Sequence, residues 1–165
     1  MKVLFLYPNL RGMNMLPPSV AMLSSLLKQH GHSVDLFDTT HWRVPGEDEF
    51  DSDKEKEKNL NVKPFDFAEH KVTIHETDVF QDFVKKVQSY SPDLIAVSVV
   101  ESTYGLGRKM IEVLPEKHSK IPVLWGGVFS TFAAEKILKD RDGEYACRGE
   151  GEYPILDFCR RACAG

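Results

Sequence analysis

The chain has 165 residues, enough for one domain and short for two. With 42% hydrophobic and 28% charged residues it has the profile of a soluble globular protein, and a net charge of -4 gives nucleic acid no basic face to meet. No apolar run approaches the length of a membrane span. Cys147, Cys159 and Cys163 are an odd, late-clustered set that does not read as a disulfide framework.

The start, MKVLFLYP, carries one Lys and a short apolar stretch, which reads as a first strand and not a secretory signal; the expected compartment is the cytoplasm. Lys2 to Tyr7 is nearly continuous apolar sequence, as a central parallel strand covered on both faces requires. Pro17 and Pro18 open a helix, to which Val20, Leu23, Leu26 and Leu27 give one apolar stripe and which Gly31 ends. Residues 33–37 read as the second strand. From about residue 40 to 76 the pattern is lost, and the stretch EDEFDSDKEKEKNLNVKP is densely charged. This insert is expected to be a functional lid, a docking surface or a partly disordered segment, with a solvated loop as the plainest case.

Order returns with a helix at 77–90, where Val79, Phe80, Phe83, Val84 and Val87 recur at helical spacing. A strand at 94–100, a helix at 104–116, a strand at 121–125 and a helix at 131–138 follow. The chain closes with a strand at 145–147 and a helix at 152–163. Five strands alternating with five helices, joined by right-handed crossovers, predict an α/β domain with a flavodoxin-like (Rossmann-like), doubly wound parallel sheet of order 2-1-3-4-5. The chain reads as a single domain over 1–165 with the charged insert protruding.

In such sheets a ligand lies beyond the carboxyl ends of the strands, where strand order reverses. That edge is built from the segments 8–17, 39 onward, 101–104, 126–130 and 148–152. Two carry more than packing demands. Trp125-Gly126-Gly127 ends the fourth strand with backbone free of side chains, which is either a place for a ligand to lie or a plain turn. Arg148-Gly149-Glu150-Gly151-Glu152 follows the fifth strand, with carboxylates that the N-terminus of the last helix also favours electrostatically. Other ligands of this fold class fit poorly. A phosphoacceptor receiver needs acidic residues at the ends of strands one and three, but the first ends in Tyr7-Pro8-Asn9 and the third has only Glu101 nearby. The loop Asn9-Leu10-Arg11-Gly12-Met13-Asn14 is a poor phosphate loop for a flavin mononucleotide, and no G-x-G-x-x-G follows strand one.

Six segments in register resemble the cobalamin-binding domain at the front of many radical S-adenosylmethionine (radical SAM) enzymes. They are MKVLFLYPN; Leu16-Pro17-Pro18-Ser19; Gly31-His32-Ser33-Val34 with Asp38; Ser91-Pro92-Asp93 running to Ser98; Trp125-Gly126-Gly127 with Thr131 and Glu135; and Gly149-Glu150-Gly151-Glu152. The resemblance covers nearly the whole chain. It implies that cobalamin is the cofactor, that its nucleotide tail passes Gly126 and Gly127, and that Ser98 and Thr131 supply hydroxyl partners. It implies that the corrin disc rests on Met13, Met15, Tyr104, Val128 and Phe129, with Glu101, Ser102, Gly149, Glu150 and Gly151 completing the site. On this reading Gly127 faces an open cleft; the rival reading makes it a turn glycine with positive φ.

The D-x-H-x-x-G motif that supplies a His ligand to cobalt is missing, so the resemblance implies base-off cobalamin with no protein His on the metal. His32 falls on the wrong edge, and His41 is a lone loop histidine. Phe129 and Ala134 replace a His and a Pro frequent in the family, and Glu101 stands where a hydroxyl is usual. Cys159 and Cys163 give only part of a C-x3-C-x2-C iron–sulfur motif, and read as small apolar thiols of the last helix. S-adenosylmethionine and the iron–sulfur cluster are therefore expected only in a parent enzyme, whose catalytic domain, a methyltransferase or related enzyme, is the expected partner. The alternatives are a stand-alone corrinoid carrier and a flavodoxin-like interaction module that has lost its cofactor.

Overall fold

The continuous apolar run near the N-terminus forms β1 (Lys2–Tyr7), in which Val3, Leu4, Phe5 and Leu6 are buried on both faces. In this computed structural model, which describes residues 1–10, 17–44, 67–139 and 143–164, β1 pairs in parallel with β2 (Ser33–Asp38) and β3 (Leu94–Ser98). Then β3 pairs with β4 (Val123–Gly126), and β4 with β5 (Glu144–Ala146), again in parallel. The sheet has five strands in the order β2-β1-β3-β4-β5, the predicted flavodoxin-like topology.

The helices are α1 (Pro18–Gln29), α2 (Val79–Tyr90), α3 (Glu101–Glu112), α4 (Val128–Lys139) and α5 (Glu152–Ala164). Side chains alternate between sheet faces, which separates two cores. Leu4, Leu6, Ile95, Val97, Val123 and Trp125 pack with Val79 and Phe83 of α2, Met110 and Ile111 of α3 and Ile137 of α4. Val3, Phe5, Leu94, Ala96 and Leu124 pack with Val20 and Leu27 of α1 and Ile155 and Cys159 of α5. Large-to-small changes in these cores are costly: Phe83 is fully buried, and Phe83→Ala falls in the class that loses about 3–5 kcal/mol.

Most element boundaries shift by a residue or two from the sequence expectation, and two helix starts shift by three for identifiable reasons. α3 begins at Glu101 rather than 104. Its N-cap is Val100, which cannot cap, and Thr103 Oγ1 instead accepts from the Val100 N–H at 3.2 Å. α4 begins at Val128 rather than 131 because the chain turns directly after Gly127, and a non-helical Ala133 (φ -125°, ψ 30°) interrupts its periodicity.

Of the charged insert, residues 45–66 lie outside the described residues. Its two ends meet. Trp42 and His75 form a parallel β-bridge, the His75 N–H donates to His41 O at 2.7 Å, and the Trp42 and His75 rings stack with centroids 4.0 Å apart. Asp82 of α2 fastens this neck to the body. It accepts from the Trp42 indole N–H, the Thr77 hydroxyl and Lys85 Nζ. These hydrogen bonds, that of Thr77 foremost, hold its carboxyl down at about 2. No described helix is long and apolar enough to cross a membrane.

Candidate functional site

The carboxyl ends of β3, β4 and β5 face α1 and α5 across a cleft with a cavity of about 140 Å³. Its buried walls are Phe5, Val20, Ala96, Leu124, Cys147 and Ile155; Ser19, Ser98, Glu150 and Glu152 stand at more accessible positions. A second, more apolar cavity of about 320 Å³ lies over the ends of β1 and β3, between Pro8, Pro17, Pro18, Val100 and Val128. Ser19, Ser98 and Gly127 line both, so the two adjoin as a two-part depression.

Backbone geometry at the end of β4 sets the shape. The Val99 N–H donates to Gly126 O at 3.1 Å, and the Phe129 N–H returns to Val99 O at 3.3 Å. This crossing leaves no room at Gly127. Its φ is +87°, and a Cβ there would lie 2.6 Å from Val99 O and 2.9 Å from Val99 N. The expectation that Gly127 faces an open cleft is therefore corrected: it lines the cleft with its backbone, but its missing side chain is demanded by Val99. Gly126 answers the expected description. Its Cβ would meet only Val97 O, at 3.8 Å, and it lines the deeper cavity. On the opposite wall, a Cβ on Gly151 would lie 3.3 Å from Leu23 Cδ1, so this glycine lets α5 close against α1.

The other expected residues divide. Ser98, Gly126, Gly127, Val128, Gly149, Glu150 and Gly151 line the depression. The Ser98 hydroxyl has no side-chain hydrogen bond among the described residues. Thr131 is engaged internally, its hydroxyl donating to Gly127 O at 3.3 Å and accepting from the Gly149 N–H at 3.1 Å, which ties the two glycine loops together. Glu101 and Ser102 are exposed on the first turn of α3 and line neither cavity. Tyr104 is the plainest departure. It is buried, and its hydroxyl accepts from Arg108 Nη2 at 2.9 Å, so it belongs to the core and not to an exposed bed. Phe129 leans on it, with ring centroids 4.5 Å apart. Met13 and Met15 lie outside the described residues.

Residues the sequence did not single out come mainly from α1, as Ser19, Met22 and Leu23, and from Cys147. Ser19 sits in the Pro-rich segment already noted, but nothing in one sequence tells which helix faces the cleft. Burial, reinforced by Glu152 and Glu150, pushes the Cys147 thiol up, so it stays protonated. It donates to Glu150 O at 3.6 Å. Behind the cleft, Arg108 Nη1 donates to Glu144 Oε1 at 2.6 Å, and Nη2 to Ile137 O at 3.2 Å. Burial works against the guanidinium charge, but bonds to Tyr104 and Glu144 outweigh it and leave its pKa raised.

No histidine lines either cavity, and no group of three or more His, Cys, Asp or Glu able to hold a metal occurs among the described residues. Cys147 follows β5 at the cleft, whereas Cys159 and Cys163 flank a shallow cavity with His30 and His32. The partial iron–sulfur motif thus gathers no third ligand among those residues.

Residues 63–158 match the family described as B12 binding domain, more than half of the chain. The chain belongs to that family. Two solved structures of the radical S-adenosylmethionine methyltransferase TsrM from Kitasatospora setae share its fold. One, with tryptophan substrate and a SAM analogue bound, aligns at a TM-score of 0.65 and 21% identity over 99% of this chain. The other, with cobalamin and a [4Fe-4S] cluster bound, aligns at 0.61 and 21% over 99%. The chain spans 26% and 25% of those chains, about a quarter of their length. Among curated proteins no match is found.

Proposed function

We propose that this B12-binding domain holds cobalamin base-off at the carboxyl edge of its sheet, as the cobalamin-binding part of a radical SAM enzyme, a methyltransferase or a related enzyme. The observation that carries the reading is the two-part depression, a deep cleft with Gly126 on its wall that opens onto a broad apolar shelf. A corrinoid is a large, mostly apolar disc with a nucleotide tail, and the two parts match those two chemistries in kind. The radical SAM parent is supported by the fold shared with TsrM and by the six sequence segments together.

The residues then have separable tasks. Gly126 and Gly149 offer backbone for the tail to lie against, and Ser98 offers a hydroxyl at the junction of the two cavities. Val128, Pro17 and Pro18 would give the apolar disc a bed from which water is excluded. Thr131 holds the Gly127 and Gly149 loops in register so that both walls keep their spacing. When bound, cobalamin supplies a cobalt centre that can carry a methyl group. The missing D-x-H-x-x-G motif is the basis for base-off binding without a protein His, and among the described residues no histidine lines either cavity.

Incubation with hydroxocobalamin followed by desalting tests this. The protein is expected to stay coloured, with the absorption of base-off cobalamin, and His41→Ala is expected to leave that spectrum unchanged. A colourless protein, or a His41-dependent spectrum, counts against it. After iron–sulfur reconstitution the chain alone is expected to leave SAM intact; reductive cleavage of SAM would return a catalytic role to Cys159 and Cys163.

A further inference from the structure

We infer that the deep cleft selects the lower base of the corrinoid, favouring a benzimidazole over a purine. This rests on the corrinoid-binding reading above. Among the cleft's lining residues, burial and polarity are sharply segregated. Phe5, Val20, Ala96, Val97, Leu124 and Ile155 are each less than a tenth exposed, and none carries a polar side-chain atom. The other buried member is Cys147, whose thiol is protonated and already turned to Glu150 O. Ser98, Glu150 and Glu152 lie at half-buried or exposed positions.

The base is the free end of a corrinoid's tail, so it is the part that reaches furthest into a cleft of this kind. A dimethylbenzimidazole presents two methyl groups at its far edge. An adenine presents there an exocyclic amine and ring nitrogens that give up water on entry. The backbone cannot compensate at the inner end, because β1, β3 and β4 spend their amides and carbonyls on the parallel ladders Phe5↔Ala96 and Ala96↔Leu124. A buried donor or acceptor without a partner is disfavoured much more than an apolar group in the same place. The interior therefore discriminates by what it lacks.

Three probes separate the outcomes: cobalamin, its adenine-bearing counterpart pseudocobalamin, and cobinamide, which has no base. Affinities are measured by visible absorbance and calorimetry on the whole chain. Each is corrected for the free corrinoid's own tendency to release its base from cobalt, read from its spectrum. Cobalamin is expected to bind at least tenfold more tightly than pseudocobalamin. Ala96→Ser, which adds a hydroxyl to the interior, is expected to narrow that ratio; Ile155→Thr is the second variant, should the first fail to fold. Equal affinity for the two base-bearing corrinoids, both above cobinamide, overturns the selectivity and leaves corrinoid binding standing. Cobinamide binding as tightly as cobalamin overturns occupation of the cleft by the base. Failure to retain any of the three overturns the underlying reading as well.

Discussion

Gly126 and Gly127 are adjacent and chemically identical, yet the structure gives them opposite roles. Gly127→Ala forces a Cβ against the Val99 backbone at positive φ, and is expected to lower stability by about 2 kcal/mol or more before any ligand is added. At Gly126 a Cβ meets nothing closer than Val97 O at 3.8 Å, so thermal unfolding of Gly126→Leu without cofactor should stay close to wild type. Its side chain nevertheless enters the cleft, and cobalamin retention should fall at least tenfold, roughly 1.4 kcal/mol. Calorimetric unfolding and cobalamin titration of the two variants form one test. A stable Gly127→Ala protein, or a Gly126→Leu protein that binds normally, would contradict these roles. The glycine pair itself was legible in the sequence; which member has room beside it was not, because the deciding neighbour, Val99, lies just past the end of β3.

At the scale of elements, legibility followed burial. The run Val3–Leu6 announced a central strand because a strand covered on both faces has no polar side to alternate with. The starts of α3 and α4 were hidden, since Val100 and Gly127 lack the side-chain oxygen that usually marks an N-cap. The neck at Trp42 and His75 was hidden too, being a pairing across 33 positions of sequence flanking charged residues. Its anchor makes a pH prediction. The folded pKa of Asp82 is depressed to about 2 from an ordinary 3.8, so its contribution is present above pH 4 and lost as pH falls toward 2. Asp82→Asn is expected to destabilise the protein by about 1 kcal/mol at pH 7, with the gap to wild type closing by pH 2–3. Denaturant unfolding at the two pH values measures it; a gap that is constant with pH would show that the charge contributes nothing.

For the whole molecule, the buried Arg108–Glu144 pair joins α3 to β5 and, through Ile137 O, to α4. Glu144 Oε2 and the Trp125 indole N–H have no hydrogen-bond partner among the described residues, so the pair sits in a region with little spare solvation. Removing one charge leaves the other buried alone, and Arg108→Met or Glu144→Leu is each expected to cost about 3–5 kcal/mol. The double replacement should cost clearly less than the two singles summed; strict additivity would mean the two side chains act independently. Nothing in the sequence could pair these residues, which are 36 positions apart, and the same holds for the cleft. Its walls come from α1 near the beginning of the chain and from Gly151 and Ile155 near the end, in contact through Leu23. A nascent chain emerging from the ribosome thus has no second wall until α5 has been made. Cofactor capture consequently waits on α5, and a polypeptide halted before residue 149 would carry the sequence of all five strands but only half of a cleft.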